Sequence, residues 1–487
     1  MAPFRVAIVH YHLRTGGVTR VIQHAVSSLT GEEAQCVVLT GEQPPDPENW
    51  PHARILPDLA YGAELGKREA SDVIDDMTRL AQDVLGGPPD IWHIHNHALG
   101  KNLVLPAVTM ELAKRGERLA LQIHDFAEDG RPKNYHYLAR GFACEDAEHL
   151  GATIYPQGEH VFYVPLNARD ASFLRLAGVP SEQVHLLHNP ASIKGQEKTT
   201  VDDVAGPRLY LYPTRAIRRK NIGEFLLWSA LDSEGSRYGL TLAPENPTER
   251  RIYDPWVSFA ADRRLPVDFE MGAAEGVSFS DLIARSHAIV STSIAEGFGL
   301  AFLEPWVMGK PLLGRNLGDI TSEFAGLGVN LNSLYEDLRI PLDWVDEEGL
   351  KARLQRSLTG YYEAYGRPQP ADAFERAWAM LSNGSSVEFS RLDEEEQRRA
   401  IEAACTDDVG RKDVRPHALE MSAMCEKMLQ ENHETVLREF SLQKYGERLV
   451  DMYTSLMNAH VGSLGEFSAS SLLDQFLAPE RFYLLRS

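Results

Sequence analysis

The feature that most constrains the fold of this chain is a repeated succession of strand-like run, glycine turn and helix-periodic run. Arg5-Val-Ala-Ile-Val-His10 is short, apolar and rich in β-branched residues; Arg14-Thr-Gly16-Gly17 follows. Val18, Val21, Ile22, Ala25, Val26 and Leu29 then recur at helical spacing. Strands that are apolar along their whole length, separated by amphipathic helices, bury themselves in a parallel sheet covered on both faces. The pattern continues with strands predicted over 36–40, 90–96, 118–124 and 160–166. Helices are predicted over 71–85 and 103–115, a further one is capped by Asn167, and 184–188 closes the unit.

A polar stretch, 191–207, then reads as a linker, and a second α/β unit begins. Its strands are predicted over 208–212, 267–271 and 288–291, with a helix over 222–231. Beyond about residue 340 the strand signal stops and acidic amphipathic patterns take over; Ser390 and Asp393 resemble a capping pair. A chain of 487 residues exceeds one core. The expected organisation is therefore a first Rossmann-like domain over 1–195, a second over 206–340 and a helical extension over 341–487.

A formal charge of −21 excludes a general affinity for nucleic acid and argues against a grip on anionic lipid. Cys36, Cys144, Cys405 and Cys425 are widely spaced and form no CxxC pair, so neither a zinc site nor a disulfide framework is expected, and a reducing, cytoplasmic setting is. No basic leader with an apolar run is expected at the N-terminus, and no run approaches the ~20 apolar residues of a membrane span.

Two motifs carry the chemistry. In Ser293-Ile-Ala-Glu296-Gly-Phe298-Gly299-Leu300-Ala-Phe-Leu-Glu304-Pro, Gly297 and Gly299 allow a tight turn ahead of a helix expected to start near Leu300. Free backbone N–H groups there suit a phosphate. Glu296 and Glu304 suit hydroxyls of sugars beside it. In Pro213-Thr-Arg215-Ala-Ile-Arg218-Arg219-Lys220-Asn221, four cations follow the first strand of the second unit. Ligands of open α/β sheets bind at that end, and a departing diphosphate needs such charge. Taken singly, Arg218 and Arg219 fit a solvated loop.

Histidines crowd the first unit. His10 and His12 end its first strand, His93, His95 and His97 alternate along 91–97 and share one face, and His124-Asp125 ends another strand. Alternate histidines on one strand rarely meet on one ion, so no metal is expected and they read as hydrogen-bonding groups. Nearby loops carry Asn96, Lys101, Asn102, Arg131, Lys133, Asn134 and Tyr135, a polar and locally basic set that suits an anionic acceptor.

Two Rossmann-like units with a Glu-x7-Glu motif resemble the retaining glycosyltransferases of the GT-B fold, family 4-like, a group that includes sucrose synthases, sucrose-phosphate synthases and bacterial mannosyltransferases. The resemblance runs from about Phe4 to Phe324. It rests on Glu296–Glu304 with its Gly-Phe-Gly-Leu interior, on Arg215 and Lys220, on Gly16-Gly17 and on Leu187-His-Asn-Pro190. It implies two domains facing a cleft, with the final helices packing back on the first domain. It implies that Glu296 bonds the donor sugar, Glu304 the ribose, Arg215 and Lys220 the diphosphate with the amides of Gly17 and Phe298–Leu300, and that His124 lies by the reacting centre and Gly272 near the base. Asn167 and Asp319 depart from the family pattern, as does the length of the helical region.

The expected activity is metal-independent transfer of a hexose, with retention, from a UDP-, GDP- or ADP-linked donor to a hydroxyl of a small polar, anionic acceptor, by a cofactor-free monomer or homodimer. The alternatives are a nucleotide-sugar epimerase or hydrolase on the same scaffold, and a non-catalytic nucleotide-sugar or partner-binding module.

Overall fold

The computed structural model describes residues 3–29, 33–66, 68–191, 206–414 and 426–486. Most of the expected linker, 192–205, lies outside the described residues, as does Cys425. The chain divides into two compact units, Met1–Pro190 with Phe440–Leu477 and Ala191–Glu439 with Ala478–Ser487.

The first unit is built on β1 (Phe4–His10), β2 (Ala34–Thr40), β3 (Ala53–Ile55), β4 (Ile91–His95), β5 (Leu119–Ile123) and β6 (Val161–Pro165). They form one parallel sheet in the order β3-β2-β1-β4-β5-β6. Val6, Ala7, Ile8 and Val9 are all fully buried, as a strand covered on both faces requires. Part of the cover comes from far along the chain. The helix Leu442–Asn458 buries Tyr445, Leu449, Tyr453 and Leu456 in the apolar cluster that holds Val6, Ile8 and Ile22. That spacing is one helical face, and each such leucine contributes roughly 1.5–3 kcal/mol of burial.

The second unit repeats the plan with β7 (Leu209–Arg215), β8 (Arg237–Leu242), β9 (Val267–Asp268), β10 (Ala288–Ser291), β11 (Leu312–Arg315) and β12 (Leu334–Tyr335). Their order is β12-β11-β10-β7-β8-β9. Counted from its first strand, each sheet therefore runs 3-2-1-4-5-6, and the order reverses between β1 and β4 and between β7 and β10.

The helical region is not a unit of its own: 341–439 belongs with the second unit and 440–477 with the first. Strand structure also continues past residue 340, contrary to expectation. β13 (Arg339–Pro341) and β14 (Ser386–Glu388) pair as an antiparallel hairpin. Three-residue strands are too short for alternation to show in a sequence. The helix Glu394–Thr406 is capped by Asp393, which accepts from the Glu396 amide (2.9 Å), while the Ser390 hydroxyl turns to Glu388 instead. The strand expected over 267–271 ends at Asp268 and gives way to a 3-10 turn, Met271–Ala273. The helix expected from Leu300 is split into a 3-10 turn, Leu300–Phe302, and a short helix, Glu304–Val307. Pro305 lacks the amide and the space that a continuous helix demands.

Candidate active site

The chemistry-bearing residues of the second unit gather where its strand order reverses. β7 leads into the 3-10 turn Arg218–Lys220 and the helix Ile222–Leu231. β10 leads into the 292–299 loop. The two loops are stitched together: the Tyr212 hydroxyl donates to the Lys220 carbonyl (3.0 Å), Thr292 Oγ1 donates to the carbonyls of Lys220 (3.1 Å) and Asn221 (3.0 Å), and the Ile294 amide donates to the Arg219 carbonyl (3.0 Å).

At their meeting point the Lys220 ammonium pairs with Glu296 Oε1, and Arg219 Nη1 donates to Glu296 Oε2 (3.1 Å) and to the Ala295 carbonyl (2.6 Å). Only 10 % of the Glu296 side chain is exposed. Burial works to raise its carboxyl pKa, but the attraction of Lys220 and Arg219 outweighs it and the net shift is downward, so the group is a carboxylate. Burial, aided by Arg219, lowers the Lys220 ammonium pKa against the pull of Glu296. Sequence reasoning left Arg219 to a solvated loop; its partner lies 77 residues away, and no local signal could have shown it.

Gly299 adopts φ 94°, and a Cβ there would lie 2.8 Å from Ile320 Cγ2, so the turn before Leu300 needs glycine. Phe298 is buried against Phe324 at 5.4 Å. Glu304 is half-buried at the start of its short helix. Arg215 ends β7, half-exposed, and pairs with exposed Glu245. Gly272 is exposed in the turn after β9. The structure thus brings Lys220, Arg219, Glu296 and the Gly297–Gly299 turn together, whereas Arg215 pairs with Glu245 and Gly272 lies in the turn after β9.

In the first unit, Gly16 is extended and ends the loop after β1, and exposed Gly17 opens the helix Gly17–Ser28, which has no side-chain cap and no acid in its first turn. The histidines form a buried ladder. His93 stacks on His95 (centroids 4.7 Å) and His95 on His124 (5.2 Å). His95 Nδ1 lies 2.9 Å from His124 Nε2, and His93 lies 2.7 Å from the Tyr453 hydroxyl and 2.9 Å from Gln122 Oε1. Burial pushes His10, His97 and His124 down to about 3 and His93 to about 4, so these rings are neutral at ordinary pH. His124 is the least enclosed of the ladder, at 9 % exposure; His95 and His97 are fully buried.

The remaining acceptor-side candidates divide. Asn96 is a structural bracket in the left-handed conformation (φ 55°), its Oδ1 accepting from the amides of His124 (2.7 Å) and Asp125 (3.1 Å). Asn102 and Asn134 likewise hold backbone carbonyls, and Tyr135 is buried. Lys101 and Lys133 are exposed. Arg131 is half-buried, paired with Asp125 and donating to the carbonyls of Phe126 (3.1 Å) and Asp129 (3.0 Å). Among the described residues no group of three or more His, Cys, Asp or Glu side chains could hold a metal, and no described helix is long and apolar enough to cross a membrane.

Strand order and coverage define the architecture as GT-B: two Rossmann-like sheets in one chain. Anabaena HepE in complex with UDP and glucose superposes with a TM-score of 0.54 at 11 % identity, over 93 % of this chain and 99 % of that one. Sucrose-phosphate synthase from Thermosynechococcus elongatus gives 0.50 at 14 % (94 % and 99 %), and a glycosyltransferase from Rickettsia africae 0.51 at 12 % (94 % and 99 %). In sequence, the chain is similar to mannosylglucosyl-3-phosphoglycerate synthase from Petrotoga mobilis, 26 % identical over 348 residues. The match spans 66 % of this chain and 66 % of that protein, just under two-thirds of its length. No family model matches.

Proposed function

We propose that the protein is a retaining, metal-independent glycosyltransferase. It moves a hexose from a nucleoside-diphosphate sugar to a hydroxyl of a small anionic acceptor. The observation that carries this reading is the buried Glu296 carboxylate held by Lys220 and Arg219 beside the Gly297–Gly299 turn. Acids for hydroxyls adjoin cations and amides for phosphate, at the end of the sheet where such ligands bind.

The donor is UDP-, GDP- or ADP-linked. When its diphosphate arrives, Lys220 and Arg219 turn from Glu296 to the phosphate oxygens, which frees the carboxylate for sugar hydroxyls. The bond from C1 to the diphosphate breaks first, and the cations take the negative charge that develops on the leaving oxygen. The acceptor oxygen then bonds to C1 on the same face, and its proton passes to that departing oxygen. Arg215, Glu304, the amides of Gly17 and of Phe298–Leu300, and His124 complete the donor assignment, with Gly272 toward the base.

The sequence likeness to mannosylglucosyl-3-phosphoglycerate synthase, with exposed Lys101 and Lys133 in the first unit, supports a glycoside of 3-phosphoglycerate as acceptor. A cytoplasmic setting is part of the same proposal.

The test is a screen of nucleotide sugars against phosphoglycerate-type acceptors, with and without EDTA, following product anomers by NMR. A product of unchanged anomeric configuration, formed in EDTA, is expected. Donor breakdown without acceptor, an inverted product, or activity that needs added divalent metal would overturn it.

A further inference from the structure

Besides its bonds to β7 and the 292–294 loop, the cation turn Arg218–Asn221 is held by residues from outside the six-stranded sheet. Asn221 has φ 49°, a left-handed conformation that Asn adopts more readily than most non-glycine residues and that persists where the surroundings enforce it. Its side chain is 2 % exposed and bonded at both ends. Nδ2 donates to Glu224 Oε2 (2.8 Å), and Oδ1 accepts from Gln397 Nε2 (2.9 Å). Gln397, 1 % exposed on the helix Glu394–Thr406, also donates to the Phe389 carbonyl (3.2 Å). Room for it comes from Gly223, where a Cβ would lie 2.2 Å from Gln397 Oε1. One turn earlier on the same helix, Glu394 grips Arg218 through Nε (2.5 Å) and Nη2 (2.9 Å).

The other end of the bracket is equally enclosed. Glu224 accepts from Arg315 Nη2 (2.7 Å) and from the Tyr335 hydroxyl (2.7 Å), and Arg315 Nη2 also donates to Glu388 Oε1 (2.6 Å) on β14. Glu224, Arg315 and Glu388 are each 3 % exposed or less. A buried guanidinium shared by two carboxylates is poor as a source of stability but good at fixing one geometry.

We propose that the β13–β14 hairpin and the helix Glu394–Thr406 are the positioning device of the donor site, with Gln397 as the positioning residue for Lys220. By pinning Asn221 in its left-handed conformation, Gln397 fixes where the preceding residue, Lys220, presents its ammonium to Glu296 and to an incoming diphosphate. This rests on the glycosyltransferase reading given above, and it assigns a role in that reaction to residues 386–406.

The experiment is a double-mutant cycle of Gln397→Met with Lys220→Ala, reading kcat, KM and calorimetric affinity for UDP, GDP and ADP. Gln397→Met keeps the volume and removes the amide. Alone, it should lower kcat about 10- to 100-fold, the cost of a small misplacement of a reacting group, and weaken nucleoside-diphosphate binding, with the thermal transition still cooperative. In the Lys220→Ala background it should cost less than threefold more, because the group it positions is gone. Equal cost in both backgrounds, or an unchanged kcat in folded Gln397→Met, overturns the proposal. If Gln397→Met does not fold, Glu394→Gln, which releases Arg218 from a partly exposed position, takes its place with the same criteria. Wild type that binds no nucleoside diphosphate and transfers no sugar defeats the glycosyltransferase reading itself, a result distinct from a Gln397 variant indistinguishable from an active wild type.

Discussion

Lys220 and Glu296, carried by the loops after the adjacent strands β7 and β10, form an ion pair with 14 % and 10 % of their side chains exposed. The pair is in the right place to be exchanged rather than kept. Replacing Lys220 by Ala, or Glu296 by Gln, should lower turnover by about 100- to 1000-fold, the usual loss when one preorganised group facing developing charge is removed. Steady-state kinetics with circular dichroism to confirm folding checks this; near-normal rates in both variants would contradict the assignment.

Arg315 is tested by its removal, which strands the two carboxylates it serves. Arg315→Met leaves Glu224 and Glu388 without their cation in a fully buried site. The expected loss is about 3–5 kcal/mol, measured as a lower midpoint in urea denaturation. A change below 1 kcal/mol would mean that the two carboxyls find protons or other donors.

The histidine ladder predicts sensitivity to acid. In the fold, burial holds His10, His97 and His124 near 3 and His93 near 4, below the value of 6.5 they take when unfolded. The unfolded chain therefore takes up protons first. The contribution of these rings is complete above pH 6.5 and is lost as the pH falls toward 3, at a rate of about 1.4 kcal/mol per pH unit for each proton. Denaturant titrations between pH 7.5 and 5 should show that decline. A stability that is flat over this range, or that rises toward acid, would show the rings to be hydrated.

Glu128 predicts the opposite sign. Its carboxyl is 1 % exposed, accepts from the Tyr155 hydroxyl (3.0 Å), and is pushed by burial from 4.5 up to about 7. A folded value above the unfolded one gives stability that is fully present below pH 4.5 and is lost as the pH rises through 7. Glu128→Gln, neutral throughout, should match wild type at pH 5 and exceed it at pH 8 by up to about 3 kcal/mol. Tm at the two pH values decides; an equal effect at both would remove titration as the cause.

Much of the fold was legible because local pattern and burial agree. The helix Ile222–Leu231 and β10 fall where periodicity places them, and Asn167 caps its helix as expected, accepting from the Asp170 amide (2.9 Å). β11 was not legible: it carries Gly314 at φ 119° and buried Arg315, neither of which a strand pattern contains. The Glu296 motif could be found because glycines and acids stand within a few residues of one another. Gln397 and Glu394 reach the turn from 176 residues away, and their letters look like those of any polar helix face. Long-range polar brackets leave no local trace, whereas periodicity and turns do.

The return of Phe440–Leu477 to the first unit, followed by Ala478–Ser487 in the second, means that the backbone passes from one unit to the other three times. A cut in the segment after Pro190 would not release a finished domain. It would give two fragments, one of which keeps the helix that closes the other's core, so the first unit would survive only by fragment complementation. Chimeras follow the same rule. A first unit borrowed from a relative by a single splice would set one protein's His93 against another's Tyr453, across a 2.7 Å hydrogen bond. A working exchange must carry 440–477 along with 1–190.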